Sequence, residues 1–149
     1  MISQKLIHLI ETHSKELSQS WLKEIRRDPE TPTYHTFPEA KLTERVDRVY
    51  SRLGRFIECE ANREEIERTF TTLGMERRQE GFRLSEVLRA LMLTKKQLWN
   101  FTLDHGFFDS VVELYQTLEL YNSVVVFFDR AILYTARGYE EESARVTRA

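Results

Sequence analysis

The sequence contains very little cysteine, proline and glycine for its length of 149 residues. Cys59 is the only cysteine, which excludes an internal disulfide and a metal site built from several cysteines. All three prolines fall in one segment, Asp28 to Ala40, and there are only five glycines. Long regular elements can therefore occupy most of the chain, with one long irregular connection across that segment.

The sequence also lacks a long apolar run and a strong excess of charge of either sign. No stretch approaches the roughly 18 apolar residues that a membrane-spanning helix needs, and the N-terminal residues alternate apolar and polar character unlike a signal peptide. With a formal net charge of -2, the chain has no overall electrostatic attraction to nucleic acid or anionic lipid. These features predict a cytoplasmic protein that spans no membrane and binds no nucleic acid.

Apolar residues recur at helical spacing along five segments, and no segment shows the alternation that is typical of a strand. The pattern predicts helices over residues Ser3–Arg27, Glu39–Cys59, Arg63–Glu80, Ser85–His105, and from Asp109 to beyond Thr135. Gly81, Gly106 and Gly138 stand where helices are expected to end. The chain is therefore predicted to form a single all-α domain over residues 1–138. Residues 139–149 are predicted to be a polar tail or the start of a linker helix.

The proline-rich connection carries two aromatic residues, Tyr34 and Phe37, among mostly polar neighbours. Connections of this length lie over the surface of a domain, where an aromatic side chain would be costly to leave in water. We therefore expect at least one of the two rings to pack against the helices and hold the connection in place.

The fifth predicted helix is apolar on more than one face. One face carries Leu114, Leu118, Tyr121, Val125, Phe128 and Ile132, and a second strip carries Leu120, Val124, Phe127, Ala131 and Tyr134. Because one monomer core covers about one such face, the second strip is predicted to be the interface of a homodimer. The alternative is that this helix is central and surrounded by the other four.

An arginine continues the apolar face of the third predicted helix. The members of this face are spaced four, three and four residues apart, in the order Ile66, Phe70, Leu73, Arg77. A buried guanidinium needs a carboxylate partner. Glu80 and Glu86 are the candidates, and Glu86 is favoured because the short turn at Gly81 folds it back. The alternative is that Arg77 extends its charged group to water.

The stretch LGMERRQEGFRLSEVLRALMLTKKQLW resembles the hallmark of the RsbRD N-terminal domain family. The residues that carry the resemblance are Leu73, Gly74, Arg77, Gly81, Leu84, Glu86, Val87, Leu88, Ala90, Leu91 and Trp99, together with Trp21 on the first predicted helix. The resemblance implies a sensory or regulatory module of a bacterial signalling protein, placed before an output domain. It also makes a globin-like fold without haem plausible, although periodicity alone is equally consistent with a helical bundle.

The sequence shows no pattern of catalytic residues. The histidines, His8, His13, His35 and His105, include no pair at the spacing of a helical metal site, and there is no phosphate-binding loop or nucleophile elbow. We therefore expect a protein that is not an enzyme and holds no metal or cofactor. Two alternatives stay open: a haem-binding globin-like sensor that uses His13 or His105, and a protein-interaction scaffold without any ligand.

Aromatic residues make up 11% of the chain, enough to line an apolar pocket for a small effector or simply to fill the core. The predicted pocket consists of His13, Trp21, Phe70, Arg77, Trp99, Phe101, Tyr121 and Phe128. Arg77 or His13 would be its polar anchor, for example toward a carboxylate. The predicted function is to sense a small apolar ligand or a protein partner. The signal would pass through a dimeric C-terminal helix to an output domain or signalling protein.

Overall fold

The computed structural model describes residues 4–57, 63–105 and 108–148, and all regular secondary structure in these ranges is helical. The elements are α1 (Gln4–Thr12), α2 (Ser14–Arg27), the 3-10 helix η1 (Pro32–His35), α3 (Glu39–Ser51), α4 (Leu53–Ile57), α5 (Arg63–Gln79), α6 (Leu84–His105) and α7 (Val111–Arg148). None of the helices in these ranges combines the length and the apolar character of a membrane span.

Two of the predicted helices are divided in the structure. The first is broken at His13, whose φ of -106° and ψ of 20° leave the helical range and separate α1 from α2. The second is broken at Arg52, which has a φ of -116° and a ψ of 18°. The apolar stripe continues across both breaks, so that periodicity alone merged the segments. Cys59, the predicted end of the second helix, lies outside the described residues.

The proline-rich connection folds back onto the helices and is pinned by its aromatic residues. Tyr34 is buried, and its ring centroid lies 4.4 Å from that of Phe82, while the ring of Phe37 lies 5.0 Å from the same residue. Arg26 secures the connection from α2, because its guanidinium donates to the carbonyl oxygens of His35 at 2.9 Å and Phe37 at 2.8 Å. The prediction that at least one ring packs against the helices is confirmed.

Two glycines allow α5 and α7 to cross in direct backbone contact. A Cβ added at Gly74 would lie 2.1 Å from the carbonyl oxygen of Thr135, and one added at Gly138 would lie 2.0 Å from that of Thr71. The prediction that Gly138 ends a helix was wrong, because α7 continues past this contact to Arg148. Residues 139–148 therefore belong to the same helix as the residues before them. The division of the chain at residue 138 stays a prediction.

The face of α7 that was predicted to form a dimer is buried within the monomer. Its members, Leu120, Val124, Phe127, Ala131 and Tyr134, are at most 5% exposed. The opposite face is exposed and carries Val111, Tyr115, Leu118, Val126 and Leu133. The interface prediction was wrong because both faces are apolar. Packing against α5 and α6 decides which of them points inward.

Candidate functional site

A cavity of about 60 Å³ lies among α2, η1, α3, α5 and α6. Its wall is apolar except for two arginines, a threonine and the polar atoms of Trp21 and Tyr34. It consists of Trp21, Tyr34, Leu42, Arg45, Val46, Val49, Leu73, Arg77, Val87, Ala90, Leu91 and Thr94. Two of the polar groups in this wall are already bonded: Trp21 Nε1 donates to the carbonyl oxygen of Ala90 at 3.1 Å, and Thr94 Oγ1 donates to the same oxygen at 2.8 Å. The charged groups in the wall are the guanidinium groups of Arg45 and Arg77.

Arg77 is buried in the wall of this cavity, with 6% of its surface exposed. Its Nη1 lies 3.0 Å from Glu80 Oε1 and 3.9 Å from Glu76 Oε2. Burial, together with the neighbouring charge of Arg45, lowers the pKa of Arg77 from its ordinary value. The side chain is thus held inside the domain by a carboxylate, and does not extend to water as the alternative interpretation had it.

Glu80 is shared between Arg77 and Arg45. Arg45 Nη1 donates to Glu80 Oε1 at 3.0 Å, and its Nη2 donates to the second oxygen of the same carboxylate, so that this contact is bidentate. The second nearby carboxylate, Glu76, has 57% of its side-chain surface in solvent. Two guanidinium groups therefore meet one close carboxylate, which leaves excess positive charge at the cavity wall.

Glu86 does not pair with Arg77, and the prediction that favoured it as the partner was wrong. It is fully buried, and its carboxylate accepts hydrogen bonds from the Thr33 backbone N–H and Oγ1, both at 2.7 Å, and from the Arg83 backbone N–H at 3.1 Å. Burial alone would raise the pKa of Glu86, but these donors outweigh burial and lower the pKa from its ordinary value.

These contacts give Glu86 a structural role at the edge of the site. By accepting the Arg83 N–H it caps the N-terminus of α6. By accepting both donors of Thr33 it fixes η1, which places Tyr34 in the cavity wall. The sequence placed Glu86 correctly in the first turn of the helix. Its partner, however, comes from a segment 53 residues earlier in the chain.

Of the eight residues in the predicted pocket, the structure brings only Trp21 and Arg77 to the cavity. Phe70 and Phe128 are core residues that both pack on Phe127, with ring centroids 5.6 and 4.9 Å away. Phe70 also lines a surface groove that adjoins the cavity, while Phe128 is fully buried. For these two phenylalanines, the simpler interpretation of aromatic residues as core filling is the correct one.

The other four predicted pocket residues form two ring clusters away from the cavity. His13 lies 5.7 Å from Phe101 and 6.4 Å from His105, measured between ring centroids, and Phe101 stacks on His105 at 4.2 Å. Trp99 packs on Tyr121 with centroids 4.2 Å apart. Their assignment to a shared pocket was wrong, because helical spacing shows which face is apolar but not which cavity that face borders.

Sequence reasoning missed Tyr34 and Arg45 as parts of the site. Arg45 lies three residues after Leu42 and four before Val49, on the inward face of α3, so its position carried the same signal as that of Arg77. Tyr34 was recognised as an anchor of the connection but not as a wall of a cavity. The sequence could not show this role of Tyr34, because only the folded chain determines which helices surround η1.

The cavity does not fit a haem group. Its volume of about 60 Å³ is far below the roughly 300 Å³ of even a small cofactor pocket. Among the described residues, no histidine or cysteine lines it, and no group of three metal-binding side chains is found. Burial raises the pKa of Tyr34, which opposes formation of the phenolate that would bind iron. His13 Nδ1 lies instead 2.8 Å from the Leu9 carbonyl oxygen.

The shared carboxylate allows a first test of the site. Glu80→Gln removes the charge that faces both Arg45 and Arg77, and is expected to lower the free energy of unfolding by about 2 kcal/mol because a buried guanidinium is left without its partner. Urea denaturation followed by circular dichroism measures the change. Glu44→Gln is the matched control, since it breaks an exposed pair with Arg48 and should cost less than about 1 kcal/mol. Equal effects of the two substitutions would contradict the structure.

The helices are arranged as in a globin. The chain is similar to the solved structure described as the globin domain of the E. coli DosC, form II (ferrous), with a TM-score of 0.73 and 18% sequence identity. The likeness covers 89% of this chain and 86% of that chain. The fold is therefore globin-like, which decides between the two architectures that periodicity left open.

The chain belongs to the family described as the RsbT co-antagonist protein rsbRD N-terminal domain. The family model matches residues 15–149, nearly the whole chain. The family resemblance seen in the stretch from Leu73 to Trp99 is thereby confirmed. A comparison with curated proteins finds no match.

Proposed function

We propose that this chain is a non-enzymatic sensory or regulatory domain of a bacterial signalling protein, which binds a small ligand with an apolar part. The observation that carries the proposal is the placement of Arg77, a buried charge in the wall of an apolar cavity, on the helix that contacts α7 most closely. Membership of a regulatory family and a globin-like fold support it. The signal is passed to an output domain or to a signalling protein partner.

The path from the cavity to the C-terminal part of α7 is a set of direct contacts. The tight crossing at Gly138 joins α5 to α7. Beyond the crossing, Tyr139 Oη donates to the carbonyl oxygen of Phe82 at 2.6 Å, and Arg78 Nε donates to Ser143 Oγ at 3.1 Å. A ligand that moves Arg77 therefore moves the end of α5, and with it the last ten described residues of α7.

The proposal is tested by nuclear magnetic resonance of the ¹⁵N-labelled chain during titration with short aliphatic acids, alcohols and amides. A ligand is expected to shift amide signals of the cavity wall and of residues 139–148 together. Ala90→Leu, which fills the cavity, should abolish both shifts, whereas Ala144→Leu on the exposed side of α7 should leave them unchanged. If no compound binds, the ligand-sensing proposal fails, and an interaction scaffold without a ligand takes its place.

The second part of the proposal is a homodimer through the exposed face of α7. Val111, Tyr115 and Leu118 are 83%, 63% and 52% exposed and follow one another at spacings of four and three residues. Val126 and Leu133 continue the strip on the same side. We propose that this strip is the seam of a helix pair, in which a second copy offers the same apolar surface to cover it. The strip lies opposite the face that the sequence assigned to the dimer.

Leu118→Glu is expected to convert the dimer into a monomer, because it places a charge in the centre of the apolar strip. Light scattering on the purified chain at tens of micromolar measures the mass. Val146→Glu is the control: Val146 is also exposed on α7 but lies off the strip, so this variant should keep the dimeric mass. A monomeric wild type, or a dimer that tolerates Leu118→Glu, would exclude this interface.

A further inference from the structure

A groove of about 390 Å³ on the surface between α3 and α5 adjoins the cavity. The two share four wall residues, Arg45, Val49, Leu73 and Arg77. One end of the groove is thus separated from the cavity only by these shared residues, and Arg77 lines both the groove and the cavity. A molecule that reached the cavity from solvent along this groove would pass the guanidinium groups before it met the apolar wall.

The groove carries more positive than negative charge. Five arginines and two glutamates line it. Arg48 pairs with Glu44, and Glu80 is shared as described above. Arg52 and Arg68 are exposed, and no carboxylate of the described residues lies within 4.0 Å of their guanidinium groups. Positive charge along a groove attracts anions from solution.

We infer that the ligand of this site is a small aliphatic carboxylate that enters through the groove. This inference rests on the proposed function. The carboxylate binds between Arg45 and Arg77, whose planar guanidinium groups suit a two-oxygen acceptor. The aliphatic chain enters the cavity among Leu42, Val46 and Leu91. A cavity of about 60 Å³ is less than half the roughly 150 Å³ that holds benzene, so the buried part is a few carbon atoms.

Glu80 accepts the hydrogen bonds of Arg45 and Arg77 that the ligand's carboxylate would take over. It is bound by both arginines, yet 26% of its side chain is exposed, so it can turn toward water when another carboxylate replaces it. Glu80 directly follows the last residue of α5 and is two residues from Phe82, whose carbonyl oxygen accepts the hydrogen bond from Tyr139. The exchange of one carboxylate for another is therefore coupled to the contact between this turn and α7.

Isothermal titration calorimetry with hexanoate, hexanamide and 1-hexanol tests the inference at equal ionic strength. Hexanoate is expected to bind about tenfold more tightly than the two neutral compounds, because only it gains charge-assisted hydrogen bonds. Its affinity should fall as salt is added. Arg52→Gln and Arg68→Gln should each weaken it about twofold to threefold. Arg27→Gln, an exposed arginine outside the groove, should leave the affinity unchanged.

The possible results separate this inference from the proposed function. Equal binding of hexanoate and hexanamide, without an effect of Arg52→Gln or Arg68→Gln, would overturn the carboxylate inference and leave a ligand-sensing domain. Hexanoate binding that survives Ala90→Leu would place the acid outside the cavity and also overturn the inference. If hexanoate and the two neutral compounds all fail to bind, both the inference and the ligand-sensing proposal fail.

Discussion

Replacing Gly138 with alanine is expected to lower the free energy of unfolding by about 3 kcal/mol or more. The added Cβ would lie 2.0 Å from the carbonyl oxygen of Thr71 and 2.8 Å from its carbonyl carbon. Both are backbone atoms of α5, so no side-chain rotation relieves the overlap and the two helices must separate. Their separation would disturb the most extensive helix contact in the domain.

Thermal unfolding followed by circular dichroism measures this effect, and a decrease in Tm of roughly 10 °C is expected. Gly54→Ala is the matched control, since Gly54 is also a buried glycine in a helix. There the added Cβ would meet side-chain atoms at longer distances, Ile7 Cγ2 at 3.0 Å and Glu11 Oε2 at 3.3 Å, so shifts of a few tenths of an ångström suffice and the decrease in Tm should be smaller. A Gly138→Ala variant with the Tm of the wild type would show that α5 and α7 are not in backbone contact.

Glu86→Ala is expected to cost about 3 kcal/mol, because it removes the acceptor of three hydrogen bonds in a fully buried position. Two of the three donors are backbone N–H groups, of Thr33 and Arg83, which have no rotational freedom to find another acceptor. The loss should also release η1 and thereby the wall of the cavity. Urea denaturation is the measurement, and Glu64→Ala at an exposed position of α5 is a control that should have little effect.

The same carboxylate makes stability depend on pH. The pKa of Glu86 is lowered in the folded state from its ordinary value of 4.5, so its contribution is present at neutral pH and is lost as the pH falls through the lowered value. Glu86→Gln should therefore show a smaller loss of stability than the wild type between pH 7 and strongly acidic pH. The pKa of Asp28 is lowered too, by hydrogen bonds from Arg89 and Glu30. Asp28 is present in both proteins, so the difference between them isolates Glu86.

Several residues that carry the family resemblance have structural roles in this fold. Gly74 takes part in the crossing of α5 and α7, and Gly81, with a φ of 91°, makes the turn between α5 and α6. Glu86 caps α6 and fixes η1, while Trp21 donates from α2 to a carbonyl oxygen of α6. Arg77 differs from these four in that it brings a charge to the cavity. It is therefore the residue of this set that would contact the carboxylate of the proposed ligand.

The sequence by itself determined the helical class and much of the helix map. The predicted helix Arg63–Glu80 corresponds to α5, which ends one residue earlier, at Gln79. The predicted helix Ser85–His105 corresponds to α6, which begins one residue earlier, at Leu84. These features follow from local causes, namely apolar periodicity, sparse glycine and proline, and the turn at Gly81. The same periodicity placed Arg77 on the inward face, because the spacing of a helix fixes which side chains share a face.

Only the tertiary structure decided which groups meet. Three outcomes depended on the other helices. Packing decided that α7 turns Phe127 and not Leu118 toward the core, and that Glu80 and not Glu86 reaches Arg77. It also decided that Gly138 allows a helix crossing and does not end a helix. The cavity has the same origin, because its wall is assembled from five elements, three between residues 21 and 49 and two between residues 73 and 94. Local spacing determines the direction of a side chain, whereas its neighbours follow from how all the helices pack together and exclude water.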